Sequence, residues 1–300
     1  MRTPKKRNSK IWWTGRDLNP RPPPCEVDWD SFREWLFRRY RWRTARDRFR
    51  YCLRFHECLL RGDFTALLEM SGDKRVHVMK ALSSLSKFLG VYDYFRFLVR
   101  NYGLKWTNGG GDDLIIARLT RTVDEDVLKW VRNVKNMVSD YAAFMDFLVV
   151  TGLRYEEAVN SWNLIIRLSR ENGLGQYYRV ENEILEHFRF KSLFIRRSKK
   201  VFISFVPRNL VVRIAAFKPL TVNVLPERIK RRGLRRRFGD VREFWASYMT
   251  KYLRQPEIDF LQGRVSTSVF MRHYFNPVWI SDLKERTFKG IRVMLRELEG

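Results

Sequence analysis

The 300-residue sequence predicts a mainly α-helical protein with one small β-sheet, folded as two domains behind an N-terminal arm. Three observations predict it. Apolar residues recur at helical spacing through most of the chain, and only residues 188–205 read as strands. The glycine run Asn108-Gly-Gly-Gly-Asp112 breaks the pattern about a third of the way along. A composition 45% hydrophobic and 31% charged can build a core, and the length suits two domains of roughly 100–200 residues each.

Residues 1–27 are rich in Pro and Arg, lack periodicity and read as a flexible basic arm. Residues 28–110 form the first, all-helical domain. Asp30 to Arg61 reads as one long basic helix in which Trp35, Trp42, Phe49 and His56 repeat every seven residues beside the companion row Ala45, Cys52 and Leu59. Packing against a neighbouring domain fits this imperfect aromatic stripe better than a coiled coil. Lys74 to Gly90 is the next helix, with Val78, Leu82, Leu85 and Leu89 on one face and Lys74, Arg75, Lys80 and Lys87 elsewhere. Asp93 to Tyr102 is another.

Residues 111–300 form the second domain. Asp124 to Val138, Tyr141 to Thr151 and Arg154 to Leu168 read as amphipathic helices. Phe188 to Ile195 and Val201 to Phe205 read as two strands around the basic hairpin Arg196-Arg-Ser-Lys-Lys200, and helices return from Pro207 onward.

Charge narrows the function. The chain carries 59 Lys and Arg against 33 Asp and Glu, a net charge of +26. So large an excess opposes compaction unless a polyanion is bound, and nucleic acid fits better than an anionic membrane surface. No run of about 18 apolar residues is present to span a membrane. The basic start, Met1 to Arg7, is followed by no apolar run of the secretory kind. Cys25, Cys52 and Cys58 are scattered, as are the four histidines, which predicts neither zinc nor disulfides and suits an intracellular setting. The glycine run lacks the Gly-Lys-Ser/Thr of a nucleotide loop. No metal, cofactor or small-molecule substrate is expected.

Three segments carry a resemblance. Thr151-Gly-Leu-Arg-Tyr-Glu-Glu-Ala158 resembles the first conserved box of the tyrosine recombinases (phage integrases). Asp240-Val-Arg-Glu-Phe-Trp-Ala-Ser-Tyr-Met249 is similar to the second. Phe260 to Pro277, with Leu261-Gln-Gly-Arg264 and Arg272-His-Tyr274, resembles the C-terminal box of archaeal virus and plasmid integrases, of the fusellovirus type. The resemblance implies an α+β catalytic domain of the tyrosine recombinase type joined to a helical core-binding domain, the two forming a C-shaped clamp on double-stranded DNA.

The resemblance also implies roles. Tyr274 would attack a phosphodiester to give a 3′-phosphotyrosyl link, with strand exchange through a Holliday junction by a homo-tetramer on DNA. Arg154 and Arg242 would grip the phosphate, Arg264 would take a place usually held by His or Trp, and Lys199, with Lys200 as second choice, would protonate the leaving oxygen. Gly239 stands where the family usually has His or Lys. His273 reads as packing or DNA contact, since helix neighbours point about 100° apart. Lys74, Arg75, Lys80, Lys87, Arg196, Arg197, Arg235, Arg236 and Arg237 are the expected DNA contacts. Ser281 to Leu298 would be the helix exchanged between subunits.

In that context Thr14 to Cys25, containing Arg-Asp-Leu-Asn-Pro, reads as translated tRNA-gene sequence, which points to a tRNA gene as the attachment site. The alternative is an ordinary proline-rich linker. Two other functions share most of these features. A type IB topoisomerase uses the same Arg, Lys and Tyr roles but needs no defined site, and a non-catalytic architectural protein would lack the nucleophile. No paired carboxylates suggest a metal-dependent nuclease.

Overall fold

The computed structural model describes residues 26–106, 115–116, 119–120, 126–196, 199–234, 236–265, 269, 273–277 and 280–299. The first 25 residues of the expected arm, the 108–112 glycine run, Arg197 and Arg235 lie outside the described residues. The chain divides into two compact units, Met1–Thr122 and Val123–Gly300.

The first unit contains helices α1 (Trp29–Arg39), α2 (Trp42–Arg61), α3 (Thr65–Leu68), α4 (Gly72–Phe88) and α5 (Tyr92–Asn101). Asp28 caps α1 by accepting the Ser31 N–H at 3.0 Å. The single helix expected over Asp30 to Arg61 is two. Tyr40 is extended, φ −128° and ψ 154°, and the chain turns so that α1 folds back. Phe32 then meets Phe49 and Phe88, at centroid distances of 6.3 and 5.3 Å. A continuous helix would have left Phe32 and Leu36, now wholly buried, without that cover. The cationic side chains use the aromatic ones as platforms: Arg48 lies 3.9 Å from the Tyr40 ring centre and Arg39 4.3 Å from that of Trp35.

Of the two seven-residue rows on α2, the companion row is the core one. Ala45, Cys52 and Leu59 are wholly buried, while Trp42 is 60% exposed. Small side chains let α2 and α4 approach closely, and Val78, Leu82 and Leu85 complete the layer.

The second unit contains α6 (Val127–Met137), α7 (Ala142–Thr151), α8 (Tyr155–Arg170), α9 (Lys191–Phe194), α10 (Arg208–Ala215), α11 (Val224–Arg231), α12 (Phe238–Met249), α13 (Gln255–Leu261) and α14 (Leu283–Glu299). Helix α7 is not amphipathic as expected: every residue from Ala143 to Thr151 is buried, which makes it the central post of the unit. Its one charge, Asp146, is met by Lys135 at 2.6 Å and Arg213 at 3.6 Å.

The sheet is antiparallel, ordered β1 (Tyr178–Arg179), β2 (Ile184–Leu185), β3 (Ser204–Phe205). Its first two strands have no period-2 signal long enough to read. The strand expected over Phe188 to Ile195 is instead a 3-10 turn, His187–Arg189, followed by α9. Phe190 and Phe194 both lie against Tyr177, at 5.3 and 6.0 Å. Residues four apart are close neighbours on a helical turn but about 13 Å apart along a strand, so one ring can hold both only in the helical form. The basic hairpin survives as an isolated bridge between Ile195 and Lys200.

A buried polar chain supports this region. Ser161 Oγ meets the Tyr177 hydroxyl at 2.8 Å, that hydroxyl meets His187 Nδ1 at 2.7 Å, and His187 Nε2 meets Ser204 Oγ at 2.9 Å. Burial pushes the His187 imidazole down to about 3, so it is neutral with both nitrogens satisfied. Finally, α14 packs on its own unit in the single chain: Leu283, Phe288, Ile291, Met294 and Leu298 belong to the core. Arg286 fastens it by a two-pronged pair with Glu257, at 2.7 and 2.8 Å.

Candidate active site

The turn after α7 fixes the first candidate residue. Gly152 is left-handed, φ 57°, and a Cβ there would lie 2.6 Å from the Trp245 ring. Backbone conformation and close packing both require glycine. Arg154 stands at the N-terminal edge of α8. Its N–H donates to Glu157 Oε2 at 3.3 Å and its Nη1 to Oε1 at 2.9 Å. Glu157 is wholly buried, so the arginine is held from below while its side chain stays 26% exposed.

Arg242, on α12, is 8% exposed and reaches into the same place. Nη1 donates to the Gly152 carbonyl at 2.9 Å and Nη2 to the Gln262 carbonyl at 2.5 Å. Gln262 Nε2 returns a bond to the Arg242 carbonyl at 3.1 Å. Burial first, then the like charges of Arg154 and Arg264, push the Arg242 guanidinium down to about 9, against the pull of Glu157. It stays protonated at neutral pH. Both of these bonds go to carbonyls, which orient the group without neutralising it. Trp245, one turn on, donates from Nε1 to the Val150 carbonyl at 3.1 Å and so locks α12 to the end of α7.

The basic turn and the C-terminal segment converge on this pair. The Arg196 N–H donates to the Lys199 carbonyl at 2.9 Å across the turn. A Cβ on Gly263, φ 67°, would lie 1.7 Å from the Lys200 carbonyl oxygen, so Gly263 and Lys200 backbones are in direct contact. Arg264 follows, 46% exposed in its side chain and 3.7 Å from Asp259. Lys199 is exposed and Lys200 half-buried. Arg154, Arg242, Arg264 and the two lysines therefore share one neighbourhood, built from α8, α12, the segment after α13 and the turn.

Tyr274 is not gathered into it. The residue is 74% exposed, and among the described residues no hydrogen bond, ion pair or ring contact joins it to the cluster. Its neighbour Phe275 lies 5.6 Å from Phe260, which is stacked at 5.8 Å on Phe202, two residues past Lys200. The flank of the tyrosine is thus tied to the flank of the turn, while the phenol points to solvent. His273 is exposed as well. Gly239 is exposed on the first turn of α12, and a Cβ there would meet nothing within 4 Å.

The expected DNA contacts divide. Lys74, Lys80, Lys87 and Arg237 are exposed, whereas Arg75, Arg196 and Arg236 are half-buried. Lys80 and Lys87, seven residues apart, share a face of α4, and Lys74 lies about a third of a turn away. Arg237 is paired with Asp240 at 3.0 Å and Arg196 with two carboxylates. Sequence reasoning overlooked the roles of Glu157 and Gln262. A Glu three residues after a helix-starting Arg is a capping signal that would have exposed the first. Gln262 accepts from Arg242 through its backbone carbonyl and returns a side-chain bond to the Arg242 backbone, an exchange between segments 20 residues apart that leaves no local pattern.

Among the described residues no helix is long and apolar enough to cross a membrane. The family model described as archaeal phage integrase matches residues 120–287. No curated protein and no solved structure matches the chain.

Proposed function

The chain belongs to the archaeal phage integrase family, and from that premise we propose that it is a site-specific tyrosine recombinase that joins viral or plasmid DNA to a host chromosome. The observation that carries the reading is the gathering of Arg154, Arg242 and Arg264, close enough that the charges of two depress the third. Like charges held together around a rigid backbone frame are costly unless an anion completes the site, and a DNA phosphate has the geometry that guanidiniums grip.

In the proposed reaction Tyr274 Oη bonds to phosphorus and the bond to the 5′ oxygen breaks. The electron pair leaves with that oxygen, which takes a proton from the Lys199 ammonium; the phenolic proton passes to solvent or a neighbouring base. Charge grows on the non-bridging oxygens during attack. Arg154, Arg242 and Arg264 stabilise it, each well-placed donor contributing on the order of 10²–10³ in rate. The 3′-phosphotyrosyl link conserves the phosphodiester bond energy, so attack by the 5′ hydroxyl of a second duplex completes exchange without a cofactor. Because Tyr274 stands apart from the cluster in the free chain, assembly of the complete site is coupled to DNA binding.

The remaining features follow the family pattern: intracellular action as a tetramer on DNA, a Holliday junction, a fusellovirus-type attachment site in a tRNA gene, and the two units closing on the duplex. The lysines of α4 and Arg236 and Arg237 would contribute phosphate contacts. A suicide duplex carrying the tRNA-gene site tests the chemistry. Wild type should become covalently attached, and Tyr274→Phe should bind the duplex normally with no attachment; covalent trapping by the Phe variant refutes the assignment.

A further inference from the structure

Arg196 belongs to the basic turn, and its place in the sequence suggests a phosphate contact. Its surroundings suggest otherwise. The side chain is only 16% exposed. Nη1 donates to Glu156 Oε2 at 3.1 Å and Nη2 to Glu157 Oε1 at 3.3 Å. That second oxygen is the one that already receives Arg154 Nη1 at 2.9 Å. One buried carboxylate is thus shared by an arginine of the phosphate cluster and an arginine of the turn. A guanidinium so engaged has little left to offer DNA, and pulling it away would leave the Glu157 charge buried with half its cover.

The backbone shows what the contact holds. The Arg196 N–H closes the turn on the Lys199 carbonyl, Ile195 and Lys200 pair at its base, and Lys200 rests on Gly263. The Lys200 side of the turn is fixed by backbone contact. Among the described residues, the hydrogen bonds that tie its Arg196 side to Glu156 and Glu157 come from this side chain.

We propose that Arg196 is a positioning residue, which latches the Lys199-bearing turn to the start of α8 through Glu156 and Glu157 and makes no phosphate contact. The inference rests on the proposed recombinase reading for the purpose of the latch, since it sets Lys199 at a fixed distance from Arg154. A displacement of about 1 Å at a reacting group can cost on the order of 10²-fold in rate.

The test compares wild type, Arg196→Gln and Arg196→Lys in the full chain by three measurements. The first is the slope of log binding constant against log salt for a duplex. A phosphate contact contributes about 0.9 to that slope, so the latch predicts an unchanged slope in Arg196→Gln, and a fall of about 0.9 overturns it. The second is the rate of covalent trapping. It should fall on the order of 10²-fold in Arg196→Gln, with partial recovery in Arg196→Lys, whose single ammonium cannot reproduce the fork; a wild-type rate in Arg196→Gln means an idle surface pair. The third is exchange of the Arg196 amide proton without DNA. It should quicken in Arg196→Gln, and unaltered exchange overturns the latch even if the wild type proves unable to trap DNA, a result that would sink the recombinase reading instead.

Discussion

Replacing Gly263 with alanine should weaken the fold and the chemistry together. The residue is left-handed, φ 67°, a conformation that costs an L-residue with a Cβ about 1–2 kcal/mol. The new carbon would lie 1.7 Å from the Lys200 carbonyl oxygen and 2.4 Å from its carbon. These are backbone atoms, so no side chain can rotate away. Reaching even a tight contact of about 3.0 Å requires the turn and the C-terminal segment to part by roughly 1.3 Å. Reduced freedom of the unfolded chain returns only about 0.4–1 kcal/mol. The net expectation is a destabilisation of about 1–3 kcal/mol in urea titration, read by tryptophan fluorescence, with trapping slowed on the order of 10²-fold as Lys199 shifts away from Arg154. Gly239→Ala is the internal control. Its Cβ meets nothing within 4 Å and it lies in a helix, so alanine there should stabilise by up to about 1 kcal/mol. A Gly263→Ala protein with the wild-type midpoint and trapping rate would refute the contact between turn and C-terminal segment.

Two other perturbations follow from the same geometry. Arg154→Ala and Arg242→Gln should each cut trapping on the order of 10²–10³-fold while duplex affinity changes far less; parallel losses in both would recast the two arginines as plain DNA anchors. His187, held down to about 3 by burial, stays neutral in the fold while the unfolded chain takes up a proton below its ordinary value of about 6.5. Its contribution is therefore complete above that pH and is lost as pH falls toward 3, about 2 kcal/mol between pH 7.5 and 5. His187→Gln should be less stable at neutral pH but flatter over that interval, and an equally steep profile would place the proton uptake elsewhere.

How much of this was legible depended on whether a residue acts through its side chain or through where the backbone puts it. Arg154, Arg242, Arg264 and the lysines are visible through the resemblance of their segments to the recombinase boxes, and the structure brings the three arginines and the Lys200 backbone into one neighbourhood. Gly152 and Gly263 are visible as letters of the resemblance, but their reason, the Trp245 ring and the Lys200 carbonyl, is a contact between segments 93 and 63 residues apart in the chain. Helix periodicity located α4, α5 and α8 well because each has one apolar stripe. It failed on α7, buried all round, and at Tyr40, where tertiary cover for Phe32 outweighed continuity of the helix. It failed again at Phe188 to Ile195, where four alternating residues imitate a strand and the Tyr177 ring selects a helical turn. The polar chain through His187 was invisible, since four residues scattered from Ser161 to Ser204 carry no local pattern.

Tyr274, exposed in the free chain, is the proposed point of attachment to DNA. Digestion of the trapped complex with trypsin and nuclease, followed by mass spectrometry, measures it directly. Cleavage after Arg272 and Lys284 yields the peptide His273 to Lys284, in which Tyr274 is the one tyrosine. Nucleotide is expected on that peptide and on no other. Nucleotide on a different tyrosine, or on a serine, would contradict the assignment.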